Sequence, residues 1–526
     1  MSTISDSAVK LVVSLSQAWP WLGRKVSGFA TNRVCNTARH RPHPWSTVHD
    51  YTSWTSLTDQ RWSARHLPAY RRSEPYLPPA EAVVGLFKRR GGEQRMCEKS
   101  TLLFPAFAQY LTDGFIRTRM PNTSQGEGQE LRKQNTSNHQ IDLCPLYGRL
   151  QAQTDALRLR SEAKGERGRL RSQLLSNEGG EREEYAPFLF DETGAARPEF
   201  APLDPVLGID RLPPQLKRCL FAFGGDRANS TPQVAMLNTL LLREHNRLAG
   251  EMERLHPGWD DERVFQTARN TLIVVFLKIV VEEYINHISP SIRFRVDPAL
   301  AWNAPWNKAP WVTTEFSLLY RWHSLVPERI RWGAQTYPVE ATVMNNPLLI
   351  QRGLAGAFGD MSEQRAGRLG AFNTPDALIG REIFAIEQGR LCEVAPYVDY
   401  RAYVGLPRIR RFEDVTPDAD TVAFLRSVYA DPGDIEFYAG LFAEEPTRNS
   451  PLPPLMLNLV GLDAFSQAYT NPLISRNVFK PETFSEVGWK TIHQTTRLED
   501  VVRRNSGDQQ PQPGSVRMTQ RQWVPR

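Results

Sequence analysis

From Thr231 onward, Leu237, Leu240, Leu241 and Leu248 fall on one side of a 3.6-residue period. That spacing predicts an amphipathic helix, with Thr231 as its N-cap and Pro232 at the first helical position. A second long helix is predicted from Asp261 to Ile288. Asp260 and Asp261 sit at its positive end, and its middle is apolar almost all round, so it should lie in the core. Its apolar run, Thr271 to Val281, is too short to span a bilayer and contains Lys278. A third helix is expected over Leu102 to Ile116. The stretch EFSLLYRWHSLVP, Glu315 to Pro327, reads as a further apolar helix on which Tyr320 and His323, three residues apart, share a face.

Residues 7 to 40 read as one or two amphipathic helices with Trp19, Trp21, Leu22, Val26 and Phe29 as apolar anchors. Two readings stay open: a small helical lobe packed on the body, or a surface resting on a membrane. Residues 41 to 80 form an irregular connector rich in Pro, Trp and Tyr. Residues 120 to 140 and 160 to 184 are polar and predict surface loops. Strand-like alternation is scarce, with IRFRV (292 to 296) as a candidate for a short ribbon. No internal repeat occurs, and the fold class is mainly α.

Composition changes this picture little. The chain has 526 residues, 40% apolar and 23% charged, which fits a globular protein. Five scattered cysteines without a CxxC pair argue against a disulfide scaffold or a structural zinc site. The net charge is +6, and the first hundred residues carry 15 basic against 7 acidic side chains. That surplus suits an anionic membrane surface. No nucleic-acid motif accompanies it, so no nucleic-acid partner is expected. The N-terminus lacks a signal-peptide cleavage site, and a cytoplasmic location, with peripheral membrane contact as an option, is the expectation. HExxH, GxSxG, P-loop and GxGxxG motifs are absent, which removes the usual entries to zinc hydrolase, serine hydrolase and nucleotide chemistry. His245, among Arg243, Glu244 and Arg247, reads as part of a polar network on its helix. Taken alone, YRWH is a buried aromatic stripe.

Several colinear stretches change that last reading. LLLREHNRLA, HPGWDDERVFQTARN, IVVEEYINHIS, EFSLLYRWHSLVP, VHDYTSWTSLTDQRWSARHLP, IDLCPLYGR, DIEFYAGLFAEEP and FKPETFSEVGW together resemble the haem peroxidase–cyclooxygenase superfamily. Within it the chain is similar to prostaglandin synthases and to bacterial-type fatty-acid (linoleate) dioxygenases. GGDRANSTPQV is closer to the peroxidases and linoleate dioxygenases. The resemblance implies a large helical catalytic domain over residues 46 to 510, a membrane-contacting or lobe-forming segment over 1 to 45, and a disordered tail over 511 to 526. A homodimer is compatible with it.

The resemblance also implies roles. His323 matches the axial ligand of haem iron, with Trp322 in the same cofactor-binding segment and Tyr438 near the proximal side. Tyr320 matches the tyrosine that becomes a radical, and Tyr284 its hydrogen-bond partner. Arg227 matches the distal arginine of the peroxidases, and Gln109 a distal glutamine. Asp113 stands where the family carries its distal histidine, a poorer proton shuttle at neutral pH, so weakened peroxidase turnover is expected. Ser230 and Thr231 replace the residues that attach haem covalently in some relatives, which implies non-covalent haem b. Gly114 replaces a calcium ligand, so no calcium is expected. Arg33, in TNRVC, is the match for the carboxylate-binding arginine, while Ser291 and Ala464 replace a tyrosine and a serine of the cyclooxygenase channel. The expected partners are a polyunsaturated fatty acid, O2 and peroxide. The leading expectation is a fatty-acid dioxygenase; the alternatives are a peroxidase of small reductants and a haem-binding protein that has lost catalysis.

Overall fold

The computed structural model describes residues 14–16, 19–36, 48, 59–70, 77–122, 126–507 and 510–525. Much of the predicted connector over 41–80 lies outside them. The principal helices are α1 (Pro20–Cys35), α2 (Leu103–Phe115), α3 (Pro232–Leu255), α4 (Asp261–Ile279), α5 (Thr314–Leu319), α6 (Ile379–Leu391), α7 (Phe437–Ala443), α8 (Pro454–Tyr469) and α9 (Pro481–Gln494). Three two-stranded antiparallel ribbons complete the described architecture. They are β1 (Met96–Thr101) with β6 (Arg365–Gly367), β2 (Gln173–Ser176) with β3 (Arg182–Tyr185), and β4 (Arg329–Trp332) with β5 (Gln335–Pro338).

Helices α3 and α4 start where the sequence places them. The Thr231 hydroxyl accepts from the Val234 amide, and the Asp260 carboxylate from the Arg263 amide. Both helices pack against each other, with α2 against α3 and α9 against α4. The Asp261–Ile288 segment is long and apolar enough to cross a membrane, but 78% of its apolar window is buried inside the protein, as a core helix demands. Lys278 fits this setting because its Nζ donates to the Ile492 carbonyl at 2.6 Å. After Ile279 the helix passes through a π-turn, Val280–Tyr284, before ending at Ile288. His245 is fully buried, bonded to the Tyr147 hydroxyl and the Gly168 carbonyl, both at 2.8 Å. Burial pushes its pKa down to about 3, which keeps it neutral and structural.

Four expectations are corrected. IRFRV forms no ribbon, because the side chain of Asn286 satisfies both the N–H and the C=O of Phe294 (2.7 and 2.9 Å) and leaves nothing for a partner strand. The region 160 to 184 is not all loop, since it holds β2 and the start of β3. The C-terminal segment is ordered. Val516 and Met518 are buried, the Thr101 amide donates to the Met518 carbonyl, and Gln520 donates to Lys99. The free edge of β1 provides those backbone partners. Finally, α5 stops at Leu319, so Tyr320 and His323 do not share a helix; His323 opens a separate 3-10 turn, His323–Leu325. The cause is packing. The rings of Tyr320 and Trp322 stack at 4.7 Å, whereas residues i and i+2 of a helix point apart.

Helix α1 lies along α8 through small buried residues, Ser27, Ala30, Thr31 and Cys35. Its large anchors face outward: Trp19 is 52% exposed, Trp21 55% and Phe29 70%.

Candidate functional site

On α2, Gln109 and Asp113 are four residues apart and share a face. The Gln109 amide donates to Asp113 Oδ2 at 3.2 Å. Ser230, just before the N-cap of α3, donates to the same oxygen at 2.6 Å, and Thr231 donates to Gln109 Oε1 at 3.2 Å. The start of α3 is thus stitched to the middle of α2. Arg227 donates from Nη2 to the Thr118 carbonyl at 2.8 Å and lies within electrostatic reach of Asp113. Burial raises the Asp113 carboxyl above its ordinary pKa, while Arg227 beside it pulls the other way. Gln109, Asp113, Arg227, Ser230 and Thr231 all keep some accessible surface, yet burial dominates the Asp113 carboxyl. These residues therefore line a recess rather than a convex surface. A Cβ at Gly114 would come within 2.4 Å of the Pro145 ring, so no side chain of any kind fits there.

The other half of the recess comes from the loop after α5 and from α6. Burial pushes the pKa of Arg321 down to about 10, with Arg227 adding repulsion, and its Nε makes no hydrogen bond. His323 keeps 17% of its side-chain surface, and its Nδ1 lies 3.1 Å from Oε2 of Glu382. The contact is off the line of a straight hydrogen bond, and Nδ1 has no other hydrogen-bond partner. Tyr438, on α7, donates to the same Glu382 oxygen and approaches the Arg321 carbonyl at 3.4 Å. Arg381, next to Glu382, acts electrostatically on both Asp113 and Arg227. The loop itself is pinned from behind. Gln94 donates to the Ser324 and Val326 carbonyls, and a Cβ at Gly367 would lie 2.1 Å from the Ser324 oxygen.

Beside the recess stands an aromatic cluster. Trp322 stacks on Tyr320 and, at 5.6 Å, on Phe104; Tyr284 stacks on Phe104 at 5.4 Å. Tyr284 Oη is buried and makes no hydrogen bond, though the Tyr320 phenol is near enough for each to influence the other. Burial raises both phenol pKa values, and the negative charge of Asp463 raises Tyr320 further. The π-turn delivers Tyr284 to this place. The Trp322 ring is 5% exposed and closed into the stack, and its indole N–H is given to Met456 Sδ at 3.0 Å.

Arg33 stands exposed on the last turn of α1. It borders an open cavity of about 660 Å³ with Phe29, Asn32, Trp302, Trp306 and Arg476. Helix α8, which carries Ala464, packs against α1 on one side and α5 on the other. Ser291 is exposed.

The structure assembles Gln109, Asp113 and Arg227 in one group, His323 and Tyr438 in a second, and Tyr284 and Tyr320 in a third. Sequence reasoning missed Glu382 and Arg381. The signal for Glu382 is faint: a glutamate three and four residues before the buried Ala385 and Ile386, hence on the inward stripe of α6. It also missed the buried pair His66–Asp463 (2.8 Å) behind Tyr320, whose partners are 397 residues apart.

An iron porphyrin fits these donors. The His323 imidazole stands part-exposed with its Nδ1 side against a buried carboxylate, and cationic side chains, one with an unpaired buried Nε, suit a planar ligand bearing carboxylates.

The family model described as animal haem peroxidase matches residues 104–516. Prostaglandin G/H synthase 1 of Mus musculus is 28% identical over 477 residues, covering 88% of this chain and 74% of that protein. Prostaglandin G/H synthase 2 of Equus caballus is 28% identical over 481 residues, with the same coverage. Among solved structures, the fatty acid alpha-dioxygenase of Oryza sativa superposes with a TM-score of 0.68 at 16% identity, over 96% of this chain and 94% of that one. Peroxidase A of Dictyostelium discoideum does so with a TM-score of 0.64 at 20% identity, over 88% and 93%.

Proposed function

The chain belongs to the animal haem peroxidase family, and from that membership we propose that it is a haem-dependent dioxygenase converting a polyunsaturated fatty acid to a hydroperoxide. The observation that carries this reading is the buried, neutral Tyr320 phenol, next to Tyr284 and three positions before His323. Names of relatives and structural neighbours that speak of prostaglandin synthesis and fatty-acid dioxygenation support the substrate class.

His323 would hold the iron of a non-covalent haem b, and Arg321 and Arg381 would supply positive charge for its carboxylates. When bound, the haem supplies one-electron oxidising power after reaction with peroxide. Tyr320 gives up its hydroxyl hydrogen and becomes a phenoxyl radical. The radical takes a bis-allylic hydrogen from the fatty acid, O2 adds to the carbon radical, and the peroxyl group recovers a hydrogen from Tyr320. Tyr284 is the adjacent phenol, near enough to influence the Tyr320 hydroxyl. The exposed aromatics of α1, with Arg33 and Arg476 beside Trp302, form the entry and rest on an anionic membrane surface. The test is oxygen uptake by haem-loaded protein supplied with linoleate, with product masses read by mass spectrometry. Addition of two oxygen atoms is the expected result; no uptake with any polyene overturns the reading.

Arg227, within electrostatic reach of position 113, supports a second reading, a peroxidase of small reductants, and Asp113 in place of an imidazole counts against it. A carboxylate is a weaker proton shuttle than an imidazole, so Asp113→His is expected to raise guaiacol-type turnover ~10-fold or more. An unchanged rate would mean that position 113 does not handle the peroxide proton.

A further inference from the structure

Buried carboxylates without a cation in hydrogen-bond contact are costly. Glu382 is one, and all of its nearest partners are donors. Its side chain has no exposed surface. Oε1 accepts from the Thr374 hydroxyl at 2.8 Å. Oε2 accepts from the Tyr438 hydroxyl and lies 3.1 Å from His323 Nδ1. Two hydroxyls donate to this carboxylate, one to each oxygen, and Nδ1 lies beside the second of them. The cation that faces it, Arg321, acts through space and forms no ion pair with it among the described residues. Nδ1, for its part, has no other acceptor. A small turn of the imidazole, which coordination at Nε2 would fix, brings the N–H onto the carboxylate.

We infer that Glu382 is a positioning residue that takes the Nδ1–H of His323 and so makes its Nε2 a stronger, more negative donor, holding the bound iron in its ferric form. The inference rests on the haem reading and adds to it a statement about electronics. A carboxylate partner pushes electron density through the imidazole toward the metal, and losing such a partner changes metal affinity or activity by roughly 10–100-fold. The Tyr438 hydroxyl shares the same oxygen and limits the push, so the proximal side is a three-member set, His323–Glu382–Tyr438. The sharing also explains why a tyrosine that touches no reacting atom stands at this point: it fixes which Glu382 oxygen meets the ring.

The experiment uses full-length, haem-loaded protein. Glu382→Gln keeps the shape and an acceptor oxygen but removes the charge. The expected result is an intact Soret band, an Fe(II)/Fe(III) ratio at fixed potential raised about tenfold or more, and an iron–histidine stretching frequency lowered in resonance Raman spectra. A Soret-positive variant with unchanged ratio and frequency overturns the inference. Should Glu382→Gln fail to fold, the wild-type spectrum decides by itself. An iron–histidine frequency matching that of an imidazole with no anionic partner overturns the proposal, and one raised toward that of an anionic imidazole supports it. A Soret band that survives in His323→Ala would instead overturn the haem-ligand reading beneath it, so the two failures are separable.

Discussion

Tyr320→Phe is expected to abolish fatty-acid-dependent oxygen uptake, by roughly two orders of magnitude or more, while leaving haem uptake intact. The change removes one oxygen atom and little packing. The Tyr320 ring is held by Phe316 at 5.0 Å and by Trp322 at 4.7 Å, contacts that phenylalanine retains. What it cannot retain is an O–H bond that yields a hydrogen atom. Because Tyr284 is the adjacent phenol, wholly buried and without a hydrogen bond of its own, a residual trickle through Tyr284 is the sole activity expected. Tyr284→Phe alone should therefore slow the reaction less than Tyr320→Phe does. Polarographic oxygen consumption with a polyene measures both. Equal uptake by wild type and Tyr320→Phe would remove the radical mechanism.

The second large effect is on the cofactor. His323→Ala is expected to eliminate the Soret band on titration with haem, with far-UV circular dichroism unchanged. His323 contributes little to the core, since it stands in a short 3-10 turn, keeps 17% of its side-chain surface and contacts one carboxylate. The loop stays in place without it, because Gln94 and the ribbon carrying Gly367 hold the backbone at Ser324 and Val326. A variant that binds haem with wild-type absorbance would show that the axial ligand lies elsewhere.

The helical skeleton was legible because its signals are local. The N-cap Thr231, the acidic start of α4 and its apolar middle need no knowledge of the rest of the chain, and α2 came out within one residue at each end. The failures are tertiary. The break after Leu319 comes from ring stacking among residues 104, 320 and 322, which no window around Tyr320 contains. Phe294 is satisfied by an asparagine eight residues earlier, so a strand pattern gave no strand. The C-terminal residues carry few apolar positions, and their order depends on an unpaired strand edge more than four hundred residues upstream. At the site, residue types with distinctive chemistry were found from the sequence. The groups that orient them were not, because Glu382 meets His323 across 59 positions and has no fixed spacing to it.

The π-turn at Val280–Tyr284 gives the tyrosine pair an unusual fragility. Such a turn holds one residue more than the α-helical repeat allows, and one residue is worth about 100° of rotation. Deleting a single apolar residue there would cost the core little volume. It would nonetheless close the wide turn into ordinary α-helix and remove the local bulge that carries the phenol at 284, so the facing of the two phenols depends on a count rather than on a composition.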